Sequence, residues 1–240
     1  MKLLNRKNIQ LVVMIGVVLF LFAFTAKRNE SRKIEKTDVQ FVGENNLLVT
    51  TEIVNKMLID KSKQGKSIDK DKLDLNTLEK TISNHDMIEK SEVFVSIDGT
   101  LKAVVTQRTP IARFIDDDTS FYIDSKGDRM PLSKIYAARV PLVSGRLTSE
   151  NQQEIAALLK ILYTDDFLKK NITGMRIENN GDVFLRTRNY DYDILFGKTI
   201  NMEAKFNNYK AFYQKAVSDS SINYYKKINL KFTQQVVCTK

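Results

Sequence analysis

The sequence predicts an α+β protein with a single N-terminal transmembrane helix, then a small strand–helix–helix–strand–strand module and a mostly antiparallel β-domain with covering helices. Three observations predict it. Residues 9–26, IQLVVMIGVVLFLFAFTA, carry no charge, and Gln10 and Thr25 are their polar positions, one near each end. The next 70 or so residues switch between strand and helix patterns in that order. From Thr109 onward, short alternating runs and turn signals dominate, interrupted by two amphipathic helical patterns.

The apolar stretch is 18 residues long. At 1.5 Å per residue it spans roughly 27 Å, enough for a bilayer core with slight thinning. Its Val, Ile and Phe are weak helix formers in water but acceptable in lipid, where no water competes for backbone hydrogen bonds. A cleaved signal peptide also starts basic and then apolar, but it wants a shorter apolar core and small residues at the cleavage site. Phe24 and Lys27 sit where such a site needs small residues, so the stretch reads as a retained anchor. Both flanks are basic, so the positive-inside rule does not fix the orientation. Eight residues precede the span and more than 210 follow it, so the short basic tail is expected in the cytoplasm and the mass that follows outside the membrane.

Residues 27–36 are polar and form a tether. The first module, residues 37–108, opens with an alternating strand over 37–43, ending in a Gly-Glu-Asn-Asn turn cluster. Thr50 or Thr51 caps a helix whose Ile53, Val54, Met57 and Leu58 share one face. Residues 61–72 form a Lys/Asp/Gly/Ser loop. Leu75, Leu78 and Ile82 mark a second helix over 73–84, capped by Asp74 or Asn76. Strands over 92–97 and 101–106 flank Asp98-Gly99, a strong two-residue hairpin signal.

The second part, residues 109–240, begins with strands over 111–115 and 121–124, with turns at 116–120 and 125–127. A strand over 139–143 closes at Ser144-Gly145. Ser149 is placed to cap a helix with Ile155, Ala156, Leu158, Leu159 and Leu162 inward and Glu154 in its first turns. Asn180-Gly181 turns a hairpin between 175–178 and 183–187, and residues 193–196 form a further strand. A helix over 202–217 directs Phe206, Tyr209, Phe212, Tyr213 and Ala216 inward. Strands over 228–232 and 235–238 end the chain.

The net charge of +9 is mostly a property of the anchor's flanks. Seven of the 38 Lys/Arg and one of the 29 Asp/Glu lie within the first 33 residues, leaving 31 and 28 for the folded part. That balance speaks against a nucleic-acid surface, which needs clustered basic residues. One cysteine, Cys238, and one histidine, His85, exclude an intrachain disulfide and a Cys/His metal cluster. There is no Gly-rich phosphate loop and no G-x-S-x-G. Asp116-Asp117-Asp118 suits a solvated turn rather than a metal site. Gln107-Arg108-Thr109-Pro110 reads as an interdomain joint, because Pro110 fixes its own φ and pushes Thr109 into an extended conformation. No cofactor is implied, and no catalytic set is recognisable.

Contact is the remaining activity. A short terminal strand often lies at a sheet edge, where unpaired N–H and C=O groups can accept another chain's strand. Tyr224 and Tyr225 precede that strand and are candidate aromatic anchors, against the alternative that they pack or cover the rim.

Several motifs together resemble the FtsQ/DivIB family of bacterial cell-division proteins, over almost the whole chain. Val93-Phe-Val-Ser-Ile97 leads through Val104-Val105 into Gln107-Arg108-Thr109-Pro110-Ile111-Ala112, which is similar to the family's E-R-x-P-x-A joint. Tyr122-Ile-Asp-Ser-Lys-Gly127 and Val140-Pro-Leu-Val-Ser-Gly145 follow. Ile228-Asn-Leu-Lys-Phe232, before Gln235-Val-Val237, resembles its I-D-L-R-Y ending. Gln107 stands where the family has Glu, and Asn229 and Lys231 stand for Asp and Arg. The resemblance implies a POTRA-like first module that serves recruitment of other divisome proteins. It implies a non-enzymatic inner-membrane scaffold, N-terminus cytoplasmic and bulk periplasmic, enriched at the division site and supporting septum formation. It further implies that the β-domain binds FtsB/FtsL-type partners by strand addition, through Tyr224, Tyr225, Thr233, Gln234, Gln235, Val236, Val237, Cys238 and Thr239. Two alternatives stand beside it. One is a membrane-tethered POTRA-type assembly or secretion chaperone working through the edge at residues 92–106. The other is an anchored envelope hydrolase, which requires a carboxylate pair or nucleophile that the sequence does not single out.

Overall fold

The first element follows directly from composition. In the computed structural model, helix α1 (Arg6–Glu30) contains a segment, Ile9–Lys27, long and apolar enough to cross a membrane. None of that segment is buried, and side chains on all sides, such as Leu11, Val12, Phe20 and Phe22, face outward. A helix that is apolar all round suits lipid. The Thr25 hydroxyl donates to the Leu21 carbonyl at 2.6 Å, so this polar position is satisfied within the helix.

The described residues are 6–30, 33–34, 36–43, 47–62, 68–69, 73–116 and 119–240. The first part of the expected tail, parts of the tether, the turn at 44–46, most of the loop at 61–72, and Asp117 and Asp118 lie outside them. The chain divides into two compact units, Met1–Gln107 and Arg108–Lys240.

The first unit contains β1 (Lys33–Ile34), β2 (Lys36–Val42), α2 (Thr51–Ser62), β3 (Ile68–Asp69), α3 (Leu75–Ser83), β4 (Ile88–Val95) and β5 (Thr100–Gln107). Its three-stranded sheet has the order β2-β5-β4, with β2 parallel and β4 antiparallel to β5. Val54 and Leu58 of α2, Leu78 and Ile82 of α3, and Val93, Leu101, Ala103 and Val105 of the sheet are buried. Asp74 caps α3 by accepting from the Thr77 N–H at 3.1 Å. The hairpin turns at Asp98-Gly99, where Gly99 takes φ +86°. The Asp98 carboxylate accepts from the Ser96 hydroxyl and from the Thr100 N–H and hydroxyl, which draws its pKa down to about 2.

Two expectations change here. The tether is not wholly irregular: Ile34 is buried, and β1 pairs with β3 inside the expected loop. A two-residue ladder is too short to leave an alternating pattern in sequence. Strand β4 begins at Ile88 rather than Glu92, because a tight turn in which the Ile88 N–H donates to the His85 carbonyl at 2.8 Å delivers Ile88 opposite Gln107.

The second unit runs β6 (Pro110–Asp116), β7 (Thr119–Asp124), β8 (Arg129–Met130), β9 (Leu142–Gly145), α4 (Gln152–Thr164), α5 (Asp166–Asn171), β10 (Ile172–Ile177), β11 (Val183–Thr187), β12 (Asp193–Gly197), α6 (Met202–Ser218), β13 (Lys227–Asn229) and β14 (Val237–Thr239). These strands form one nine-stranded mixed sheet, ordered β14-β13-β12-β11-β10-β9-β6-β7-β8. The β6/β9, β9/β10 and β12/β13 pairs are parallel, and the other five are antiparallel. Strand residues Phe114, Val143, Met175, Leu185, Ile194 and Ile228 share one core with Leu158 and Leu162 of α4, Leu168 of α5, and Phe206 and Tyr209 of α6.

Local chemistry explains where boundaries differ from expectation. Thr119 and Ser120 belong to β7, not to a turn. Residues 139–141 precede β9, since Pro141 has no N–H to donate and contributes only its carbonyl, to the Arg113 N–H at 2.9 Å. Ser149 does not cap α4. Asn151 occupies that position, its Oδ1 accepting from the Thr148 N–H at 2.8 Å, and a turn over 149–151 leads into the helix. Helix α5 was not expected; six residues are too few for periodicity, and it rests on the Asp165 cap. Strand β13 stops at Asn229, whose Oδ1 accepts from the Lys231 N–H at 3.0 Å and bends the chain away.

The joint residues each have a partner inside their own unit. Arg108 forms a largely buried ion pair with Asp124 at 2.7 Å, and Asp124 also accepts from the Lys126 and Asp128 N–H groups. Pro110 opens β6, at a place where a strand tolerates proline. Gln107 is buried: its Oε1 accepts from the Leu48 and Val49 N–H groups at 2.9 and 3.3 Å, and its Nε2 donates to the Val49 carbonyl at 2.9 Å. That last bond requires an amide. Gln107→Glu is therefore expected to destabilise the first unit by about 1–3 kcal/mol in denaturant unfolding, because a carboxylate leaves the Val49 carbonyl unpaired and buries charge.

Candidate partner-binding edge

Strand β14 ends the large sheet, with β13 as its single neighbour among the described residues. Three residue pairs hold it: Lys227 with Thr239, Ile228 with Cys238, and Asn229 with Val237. The Lys226 N–H adds a bond to the Thr239 carbonyl at 2.8 Å. Alternation turns Cys238 toward the core and leaves Val237 and Thr239 exposed. Burial pushes the Cys238 thiol pKa up, which disfavours the thiolate, so this cysteine serves as a small hydrophobe. The far side of β14 offers backbone groups with no strand against them among the described residues.

The expected contact residues do not all lie in this ladder. Only Val237, Cys238 and Thr239 do. Thr233, Gln234, Gln235 and Val236 form the connection from β13, because the Asn229 side chain has already bent the chain out of the sheet. Asn208 of α6 donates to the Thr233 carbonyl at 2.7 Å, and Val236 packs on the core. The tyrosines also separate. Tyr224 ends a short 3₁₀ turn, Ile222–Tyr224, and is 65% exposed. Tyr225 packs edge-on against Phe212 with ring centroids 5.3 Å apart.

Inward from this edge, on β11, the sheet face away from the helices carries Phe184, with the Arg176 guanidinium 4.9 Å and the Lys227 ammonium 5.8 Å from its ring centre. At one end of the sheet, Asp182 sits in the β10–β11 turn within 2.7 Å of the Lys231 ammonium and 3.6 Å of Lys198. Lys205 is buried and donates to the Phe196 and Lys198 carbonyls at 3.1 and 2.7 Å; burial lowers its pKa. The sequence reading missed Lys205. Its spacing from Tyr209, Phe212 and Ala216 places it on the inward face of α6, and that was the available signal.

Beneath the helices, Tyr192 and Tyr209 share a hydrogen bond at 2.9 Å, and Tyr209 donates to Asn171 Oδ1 at 3.2 Å. Burial pushes the Tyr192 phenol up to about 12 and raises that of Tyr209 as well. Their hydrogen bonds tie α6 to Tyr192 and Asn171. No set of three or more His, Cys, Asp or Glu side chains is gathered for a metal ion among the described residues.

Together these features define a class first: a sheet protein on one candidate membrane-spanning helix, with an accessible sheet edge as its outstanding surface feature. The family model described as "FtsQ/DivIB, C-terminal related" matches residues 109–239, more than half of the chain, and the chain belongs to the FtsQ/DivIB family. That is a family of non-enzymatic bacterial cell-division proteins. Among solved structures, the major extracytoplasmic domain of the trans isomer of the cell-division protein DivIB from Geobacillus stearothermophilus is similar. It shares 16% identity at a TM-score of 0.34, over 48% of this chain and 97% of that one. No curated protein matches the sequence.

The two tyrosines give a direct check on packing. Tyr225→Ala is expected to lower stability by about 2 kcal/mol through its lost contact with Phe212, whereas Tyr224→Ala stays within about 0.5 kcal/mol. Chemical denaturation of both variants measures the difference.

Proposed function

We propose that this chain is a non-enzymatic divisome scaffold held in the inner membrane by α1. Its N-terminus is cytoplasmic and its two units extracytoplasmic, and it is enriched at the division site. The second unit binds FtsB/FtsL-type partners, one of which adds a strand to β14. The observation that carries the reading is the position of β14, at the edge of a nine-stranded sheet, with no strand on its far side among the described residues. Strand addition supplies affinity through main-chain hydrogen bonds, and side chains alternating along the edge supply selectivity. Val237 in that strand is exposed, as are Tyr224 before β13 and Phe232 between β13 and β14, and they are the candidate apolar contacts. The first unit, POTRA-like in its element order, serves recruitment.

A second reading is favoured by one observation in the first unit. Strand β4 is also an edge, with Phe94 and the strongly exposed Ile97 at its end. A tethered assembly or secretion chaperone would use that edge instead.

Capture of a co-expressed FtsB/FtsL-type pair by the full chain in detergent separates the two. Cys238→Pro removes an N–H at the centre of β14, and is expected to reduce capture at least about tenfold while the thermal unfolding of the rest persists. Undiminished capture overturns the β14 reading. A fluorescent fusion at the N-terminus checks the site of action: a midcell band at constriction is expected, and an even membrane distribution favours the chaperone.

A further inference from the structure

Three residue pairs are a slender hold for a strand that must receive a partner. The connection between β13 and β14 is fixed elsewhere, by side chains far away in sequence. Leu230 is buried, and its N–H donates to the Leu195 carbonyl at 2.9 Å. Lys231 then turns over the end of β12. Its stem lies directly on Gly197: a Cβ there would meet Lys231 Cγ at 2.7 Å, closer than real contacts allow, and Gly197 has φ +75°. Glycine is thus required twice, for conformation and for clearance. Beyond Gly197 the Lys231 ammonium reaches Asp182 at 2.7 Å.

Asp182 is a rigid acceptor. It is buried, its N–H donates to Asn180 Oδ1 at 2.9 Å, and its carbonyl accepts from the Glu178 N–H at 2.9 Å across the β10–β11 turn. The Lys231 hydrogen bond, with the charges of Lys231 and Lys198, keeps its pKa below the usual carboxylate value. An exposed lysine pair on a helix surface would add little. This pair differs because its carboxylate is anchored and shielded, and because a glycine lane guides the lysine to it.

We propose that Asp182 and Gly197 are positioning residues for the partner strand: they latch Lys231 over the end of β12 and so set the connection that delivers β14 to the sheet edge. The link to partner capture rests on the strand-addition reading above; the latch itself does not. Asp182 lies 49 residues before Lys231 in the chain, so the latch couples the central hairpin to the terminal strand.

Hydrogen exchange on the full chain in detergent tests it. Lys231→Met keeps the stem but removes the ammonium, Asp182→Asn removes the charge it meets, and Gly197→Ala blocks the lane. In each, amides over 231–239 are expected to exchange at least about tenfold faster, while those of α4, β10 and β11 outside the turn hold their protection. Lys231→Arg, which keeps the charge, is expected to restore it. Unchanged exchange over 231–239 in Lys231→Met and Asp182→Asn overturns the latch. Equal acceleration across the whole of residues 108–240 also overturns it, as the mark of a general stability role. Capture of an FtsB/FtsL-type pair is read on the same variants. Faster exchange with weaker capture supports both ideas, whereas faster exchange with full capture keeps the latch and overturns the strand-addition reading.

Discussion

The large sheet buries one face under helices, and the rest of the second unit depends on that packing. Leu158, Leu162, Phe206 and Tyr209 meet Phe114, Val143, Met175 and Ile194 in one continuous core. Apolar burial is non-directional, so it fixes which face is covered without fixing where the sheet stops. The two ends are set differently. At one end, a two-residue strand, β8, closes the order. At the other, the Asn229 side chain breaks the ladder after three residues, and the chain returns as β14. An edge results from these choices, and it is the feature that suits a protein working by contact.

Polar ties recur wherever the chain must change direction. Gln107 fastens the last strand of the first unit to Leu48 and Val49, and Arg108 fastens the first residue of the second to Asp124. Each is largely buried and each is paired, as buried polar groups must be. Gln107 supplies a donor that a glutamate lacks, and Lys231 finds its opposite charge within the chain, at Asp182. Lys205 follows the same logic, with its ammonium satisfied by carbonyls at the end of β12.

The FtsQ/DivIB family, to which the chain belongs, is one of non-enzymatic division proteins. Tyr192 and Tyr209, whose phenol pKa values burial raises, tie α6 to the rest of the core. The second unit exposes a sheet edge and scattered apolar side chains, among them Tyr224, Phe232 and Val237. Tyr225, by contrast, faces α6, so two adjacent tyrosines hold different roles despite equal chemistry.

The sequence by itself determined the long apolar N-terminal helix, the order of most elements and the inward faces of the helices. Those features have a local period or a local turn signal: eighteen uncharged residues, Asp98-Gly99, Asn180-Gly181, and the spacing of Leu158, Leu159 and Leu162. It also carried the family motifs. Short pieces without a period, such as β1 with β3 and helix α5, were illegible, as were strand ends set by a single side chain. Only the tertiary structure decided the strand order, the parallel pairs at β9 and β13, and the place of β14 at the edge. It alone joined Asp182 to Lys231 across Gly197. Such contacts link residues tens of positions apart, and their energy depends on distance and burial in the folded state, which no local pattern records.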